Sequence, residues 1–161
     1  LDPIGDVVPA PSTAIERGGG DRLAAARRVL REVFGFSEFR PMQERVISAV
    51  MEHRDALAVM PTGGGKSLCY QLPSLLLNGL TVVVSPLISL MRDQVDQLRQ
   101  TGIPAECLNS SLAYSDYSAA TQRIASGRVR LLYVAPETLQ RDEIQGLLDR
   151  TTVACFAIDA E

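Results

Sequence analysis

The feature that most constrains this chain is the run Met60-Pro61-Thr62-Gly63-Gly64-Gly65-Lys66-Ser67, three consecutive glycines followed by a lysine and a serine. It follows an apolar run, Ala56 to Met60, that reads as a strand, and leads into a stretch, Lys66 to Leu77, that reads as a helix. Consecutive glycines let the backbone bend tightly and aim N–H groups at phosphate oxygens, and a helix starting there presents its positive end. A lysine in this position reaches outer phosphates, and a serine hydroxyl coordinates Mg2+. The strict phosphate-loop spacing asks for glycine where Met60 stands, so the pattern is a variant. An ordinary glycine turn at a helix start is the competing reading. Of 16 Lys and Arg residues, Lys66 is the one lysine, as expected for a role that arginine does not fill.

Around the loop, short apolar β-rich runs alternate with longer amphipathic stretches. Strands are predicted at Ala56 to Met60, Leu80 to Val84, Ala105 to Leu108, Leu131 to Val134 and Val153 to Ile158. Helices are predicted at Lys66 to Leu77, Leu87 to Gln100, Ser115 to Ser126 and Gln140 to Asp149. Two more precede the loop: one capped by Asp21, with Leu23, Ala26, Leu30 and Val33 at helical spacing, and one from Pro41 to about His53. In the helix from Leu87, one stripe gathers Leu87, Leu90, Met91, Val95 and Leu98, while Arg92, Asp93, Asp96 and Arg99 fall elsewhere.

Strands apolar on both faces, alternating with helices, predict an α/β fold with a mostly parallel sheet covered on two sides. Ligands of such sheets bind beyond the carboxyl ends of the strands, here the loops after Met60, Val84, Val134 and Ile158. Residues 1–20 hold Pro3, Pro9 and Pro11 and end in three glycines, a composition that predicts a flexible leader, with one folded domain over 21–161.

With 161 residues and 46% hydrophobic content, the chain can bury one core of ordinary size. A net charge of -3 excludes a broadly basic surface, so any nucleic-acid contact must come from local geometry. Cys69, Cys107 and Cys155 are widely separated and have only His53 to complete a metal set, which argues against zinc. An odd cysteine count without a signal peptide fits a reducing cytoplasm, and the absence of a long apolar run predicts no membrane span.

Four segments in order then make a specific match. Phe34-Gly35-Phe36 with Phe39-Arg40-Pro41-Met42-Gln43, Met60 to Gln71, Ser85 to Val95, and Leu131 to Glu137 resemble the opening of the RecQ family of superfamily 2 DNA helicases. The resemblance covers residues 24 to 161. It implies the first RecA-like motor domain, a three-layer P-loop NTPase fold, together with ATP and Mg2+ as ligands, single-stranded or partly duplex DNA as partner, and 3' to 5' movement. It also implies Phe36 for adenine stacking, Arg40 for packing beside it and Gln43 for the base edge. Plain core packing remains the alternative for Phe36 and Phe39. By the same resemblance Thr62, Gly63, Gly64, Gly65, Lys66 and Ser67 hold the nucleotide, and Ser85, Pro86, Gln94, Ala135, Pro136 and Glu137 face single-stranded DNA.

Relatives of this kind carry Asp-Glu-Ala-His after an apolar strand, where this chain reads Asp159-Ala160-Glu161. Asp159 fits the metal-binding position, in company with Ser67. Ala160 stands where the water-activating carboxylate belongs, and Glu161 lies one residue along, a shift that turns a side chain to the opposite side of a strand. Either the order is an altered one or the terminus belongs to a partial sequence, so the RecA-like domain is expected to be truncated at its C-terminal end. The second RecA-like domain expected in cis, with its arginine finger, falls outside these residues, and the chain is expected to bind ATP–Mg2+ weakly without unwinding DNA. Two other classes compete: a nucleotide-binding module in which ATP acts only as a conformational ligand, and a P-loop kinase or transporter ATPase, which the Phe39-Arg40-Pro41-x-Gln43 element disfavours.

Overall fold

The computed structural model describes residues 18–61, 63 and 65–160. Most of the predicted leader, together with Thr62, Gly64 and Glu161, lies outside them. The chain forms two compact units, Leu1–Leu77 and Asn78–Glu161. No helix among the described residues is long and apolar enough to cross a membrane.

The first unit is helical among its described residues: α1 (Gly18–Glu32), α2 (Pro41–Met51) and α3 (Leu68–Ser74). Helix α1 begins three residues before Asp21, which sits in its first turn, where a negative charge meets the positive end of the helix, instead of capping it. Ala26, Val29 and Leu30 are buried from α1, and Ile47, Ala49 and Met51 from α2. An exposed ion pair at 2.8 Å, Arg27 to Glu44, links these two helices. Pro41 at the first turn of α2 presets its entry angle.

The predicted strand Ala56 to Met60 is not one, and Leu57 is 96% exposed. β propensity cannot make a strand without ladder partners, and the described part of this unit offers none.

The second unit is built on β1 (Leu80–Val84), α4 (Ile88–Gln100), β2 (Ala105–Leu108), α5 (Tyr114–Ala125), β3 (Leu131–Val134), α6 (Pro136–Leu139), α7 (Asp142–Asp149) and β4 (Val153–Ile158). All four strands match their predicted spans. They pair in parallel in the order β2-β3-β1-β4. Right-handed crossovers then dictate the helix layers: the step from β1 to β2 runs one way across the sheet, and the steps from β2 to β3 and from β3 to β4 run the other. That reversal puts α4 on one face and α5 with α7 on the opposite one.

The packing agrees. Leu80, Val82, Val84, Leu108, Leu132 and Val134 share one core with Ala120 and Ile124 of α5 and Ile144 and Leu147 of α7. Helix α4 packs along β2 and β3 and buries Met91, Val95 and Leu98. Leu87, predicted on that stripe, instead lies in the turn before the helix and is exposed. Each fully buried aliphatic side chain contributes about 1.5–3 kcal/mol of transfer free energy, so this core carries the unit.

Strand β4 departs from the two-sided burial expected of a parallel strand, with Phe156 and Ile158 exposed. Its register against β1 shifts between Leu80 and Thr81. Gly79 fits there because a Cβ would meet the Thr152 carbonyl at 2.6 Å, and its φ is +128°. At the other edge, the buried Glu106 carboxylate of β2 accepts from Arg99 of α4 at 2.8 Å and from Arg123 of α5. One buried charge thus ties both neighbouring helices to the edge strand, and both guanidinium groups remain half in water, which screens the pairs.

Candidate functional site

In the first unit the site is assembled around the glycine loop by the start of α2. Arg40 immediately precedes the helix in extended conformation, φ -69° and ψ 149°, and its backbone N–H donates to Gln43 Oε1 at 3.0 Å. Gln43 is buried, and its Nε2 donates to the Gly65 carbonyl at 3.1 Å. The Arg40 guanidinium donates to the Gly63 carbonyl at 2.6 Å. Two side chains three residues apart therefore grip two carbonyls of the loop more than twenty residues downstream.

Gly63 and Gly65 have φ of 78° and 77°, the left-handed region in which side chains are strained. At Gly65 the constraint is double, because a Cβ there would overlap the Gln43 amide. Carbonyls turned toward Arg40 and Gln43 leave the loop's N–H groups to aim elsewhere, as phosphate binding requires. Lys66 and Ser67 follow, both half-buried. Ser67 occupies the cap position of α3, yet its hydroxyl makes no capping hydrogen bond. Its carbonyl accepts from Gln71 N at 2.9 Å.

The two phenylalanines separate: Phe39 is buried in packing, and Phe36 is 57% exposed. The brace from Arg40 and Gln43 to the loop was not legible from spacing, since nothing in the letters links positions 22 and 23 residues apart. Cys69, the second residue of α3, is buried, and burial pushes its thiol up to about 11.

In the second unit the sheet brings the other candidates to its carboxyl edge. Val84 pairs with both Val134 and Ile158, and Leu108 pairs with Val134. The residues just past these ends continue the pattern: Ala135 N donates to Leu108 O at 3.3 Å, Ser85 N to Val134 O at 3.2 Å and Asp159 N to Val84 O at 2.9 Å. Ser85, Ala135 and Asp159 thus stand in one row with the end of β2.

Ser85 is buried, and its Oγ accepts from Leu87 N at 3.2 Å, which fixes the turn through Pro86 into α4. Gln94 lies half-buried on that helix. Ala135 is buried, Pro136 opens α6, and Glu137 is exposed. Ala160 is exposed beyond Asp159. Sequence reasoning did not single out the turn after β2, where buried Asn109 accepts from both the N–H (2.9 Å) and the hydroxyl (2.5 Å) of Ser111. The Asn-x-Ser spacing after a strand was the available signal.

Comparison with known proteins gives the family. The profile of the DEAD/DEAH box helicases matches residues 40–159. The chain is 49% identical over 134 residues to a protein of Haemophilus influenzae named ATP-dependent DNA helicase RecQ, a match covering 83% of this chain and 22% of that protein. A Synechocystis protein of the same name is 45% identical over 124 residues, covering 77% of this chain and 26% of its own length. The putative ATP-dependent DNA helicase Q1 of Caenorhabditis elegans is 48% identical over 130 residues, covering 80% and 21%. The chain thus spans about a quarter or less of the length of these relatives. It belongs to the DEAD/DEAH box helicase family, on its RecQ branch.

Proposed function

We propose that this chain binds ATP with Mg2+ through the loop from Thr62 to Ser67 and serves in an ATP-dependent DNA helicase that moves 3' to 5' on single-stranded DNA. The observation that carries the nucleotide reading is the brace by which Arg40 and Gln43 hold the carbonyls of Gly63 and Gly65. It couples an element suited to reading adenine to an element suited to holding phosphate. Gln43 keeps one amide hydrogen and one carbonyl lone pair beyond those two bonds, enough to donate to and accept from a base edge. Phe36, exposed just upstream, offers a stacking face.

In this reading Lys66 meets the outer phosphates as a point charge. The Ser67 hydroxyl, not spent on capping, is suited to ligate Mg2+. Asp159 is assigned a metal-directed carboxylate at its strand end. Bound Mg2+ would neutralise phosphate charge. Ser85, Pro86, Gln94, Ala135, Pro136 and Glu137 are assigned to the DNA backbone, through N–H groups and hydroxyls instead of a basic surface. The polarity and the need for a second RecA-like domain rest on the likeness to RecQ helicases.

A second reading keeps ATP as a ligand without hydrolysis. Ala160, which follows Asp159 where a water-activating carboxylate is expected, favours it. Titration with a fluorescent ATP analogue, and ATP turnover with and without single-stranded DNA, test both. Loss of at least tenfold in affinity in Lys66→Ala supports the nucleotide site, and unchanged affinity refutes it. Turnover stimulated by DNA and abolished in Lys66→Ala selects the motor, whereas binding without turnover that persists in a chain extended through a second RecA-like domain selects the ligand reading.

A further inference from the structure

Tyr114 is the most exposed aromatic ring among the described residues of the second unit, at 86%. It opens α5, directly after the turn that leaves the carboxyl end of β2. An aromatic ring so placed adds nothing to a core, and its neighbours Ala113 and Ser115 are small and also exposed. A single exposed ring is ordinary on a protein surface; what sets Tyr114 apart is its place just past the carboxyl end of β2.

The turn that carries it is well ordered by its own chemistry. Asn109, 1% exposed, uses its Oδ1 on both donors of Ser111, while its Nδ2 donates to Cys107 Sγ at 3.4 Å. Ser111 Oγ in turn accepts from the Arg92 guanidinium of α4 at 2.5 Å. Arg92 is thereby tied to the turn, and it is exposed. Ser111, which Arg92 reaches, and Tyr114 are three residues apart, which limits the separation of their Cα atoms to about 10 Å. Leu108, which ends β2, aligns with Val134 and so with the row of Ser85 and Ala135.

An exposed ring and an anchored cation on one turn, at the end of that row, suit one nucleotide of a single strand: base on ring, phosphate on guanidinium. We propose that Tyr114 is a base-stacking platform at the β2 end of the DNA-binding edge, with Arg92 holding the adjoining phosphate. This rests on the reading that the edge binds single-stranded DNA. It adds a contact to the bases, which the row from Ser85 to Glu137 does not include.

The test compares this chain with its Tyr114→Ala and Tyr114→Trp variants by fluorescence anisotropy, using labelled oligothymidylate and an abasic strand of the same length. The ratio of the two affinities is internal to each variant, so a partly unfolded sample does not distort it. The parent should prefer oligothymidylate by about tenfold, the equivalent of about 1.4 kcal/mol, within the range of one stacked base. Tyr114→Ala should bring the ratio close to one with abasic binding unchanged, and Tyr114→Trp should retain the preference. An unchanged ratio in Tyr114→Ala overturns the platform and leaves the DNA-binding edge standing. A parent that binds neither strand overturns both.

Discussion

Replacing Gly65 by alanine strikes two independent constraints, and a double-mutant cycle separates them. The backbone at this position has φ +77°, which costs an L-residue about 1–2 kcal/mol. The new methyl group would also overlap the Gln43 amide, displacing a buried side chain that makes two hydrogen bonds, to Arg40 N at 3.0 Å and Gly65 O at 3.1 Å. Each such bond contributes about 0.5–1.5 kcal/mol net, so the displacement costs about 1–3 kcal/mol. Gly65→Ala should therefore lose about 2–5 kcal/mol in urea denaturation. In a Gln43→Ala background the overlap disappears, and the same change should cost only the backbone strain, about 1–2 kcal/mol. The coupling between the two sites is then about 1–3 kcal/mol, with the double variant more stable than the sum of the singles implies. Strict additivity would refute the brace, since it would mean that Gln43 does not occupy the space above the loop.

Two further outcomes follow from the packing. Thr81 is buried in β1 with no hydrogen-bond partner for its Oγ1, so Thr81→Val should raise stability by about 1 kcal/mol, and a lower urea midpoint would contradict the isolation of that hydroxyl. The Cys69 thiol ionises near 9 when unfolded but is pushed up to about 11 in the fold by burial. Raising the pH through this window ionises the unfolded thiol first, so its contribution to stability is full below pH 9 and lost between 9 and 11. Denaturation at pH 8 and pH 10.5 should show a smaller alkaline loss for Cys69→Ala than for the parent, and equal losses would count against the burial.

The strands of the second unit were legible residue for residue because short apolar, β-rich runs stand between turn residues, although β4 exposes Phe156 and Ile158 and β2 carries Glu106. The same rule misread Ala56 to Met60, whose apolar letters satisfy the pattern while the described residues of its unit supply no partner strand. Leu87 was misassigned to a helix stripe because Ser85 and Pro86 hold it in a turn, a local hydrogen bond that periodicity does not register. In the candidate site, the letters anticipated the positive φ of Gly63 and Gly65, since glycine takes it without strain. That Phe39 is core and Phe36 is open could not be read from them, since both residues carry the same side chain and only packing distinguishes them.

The letters alone determined local properties: where apolar runs of the second unit pair as strands and where the backbone turns through positive φ at glycine. Those are properties of a residue and its near neighbours. Tertiary structure decided the rest: that Gln43 and Arg40 close on the loop's carbonyls, that Glu106 binds two helices to an edge strand, and that Ser85, Ala135 and Asp159 share one row with the end of β2. Such contacts join residues distant in sequence, and the geometry that selects one partner from many exists only once the core has packed.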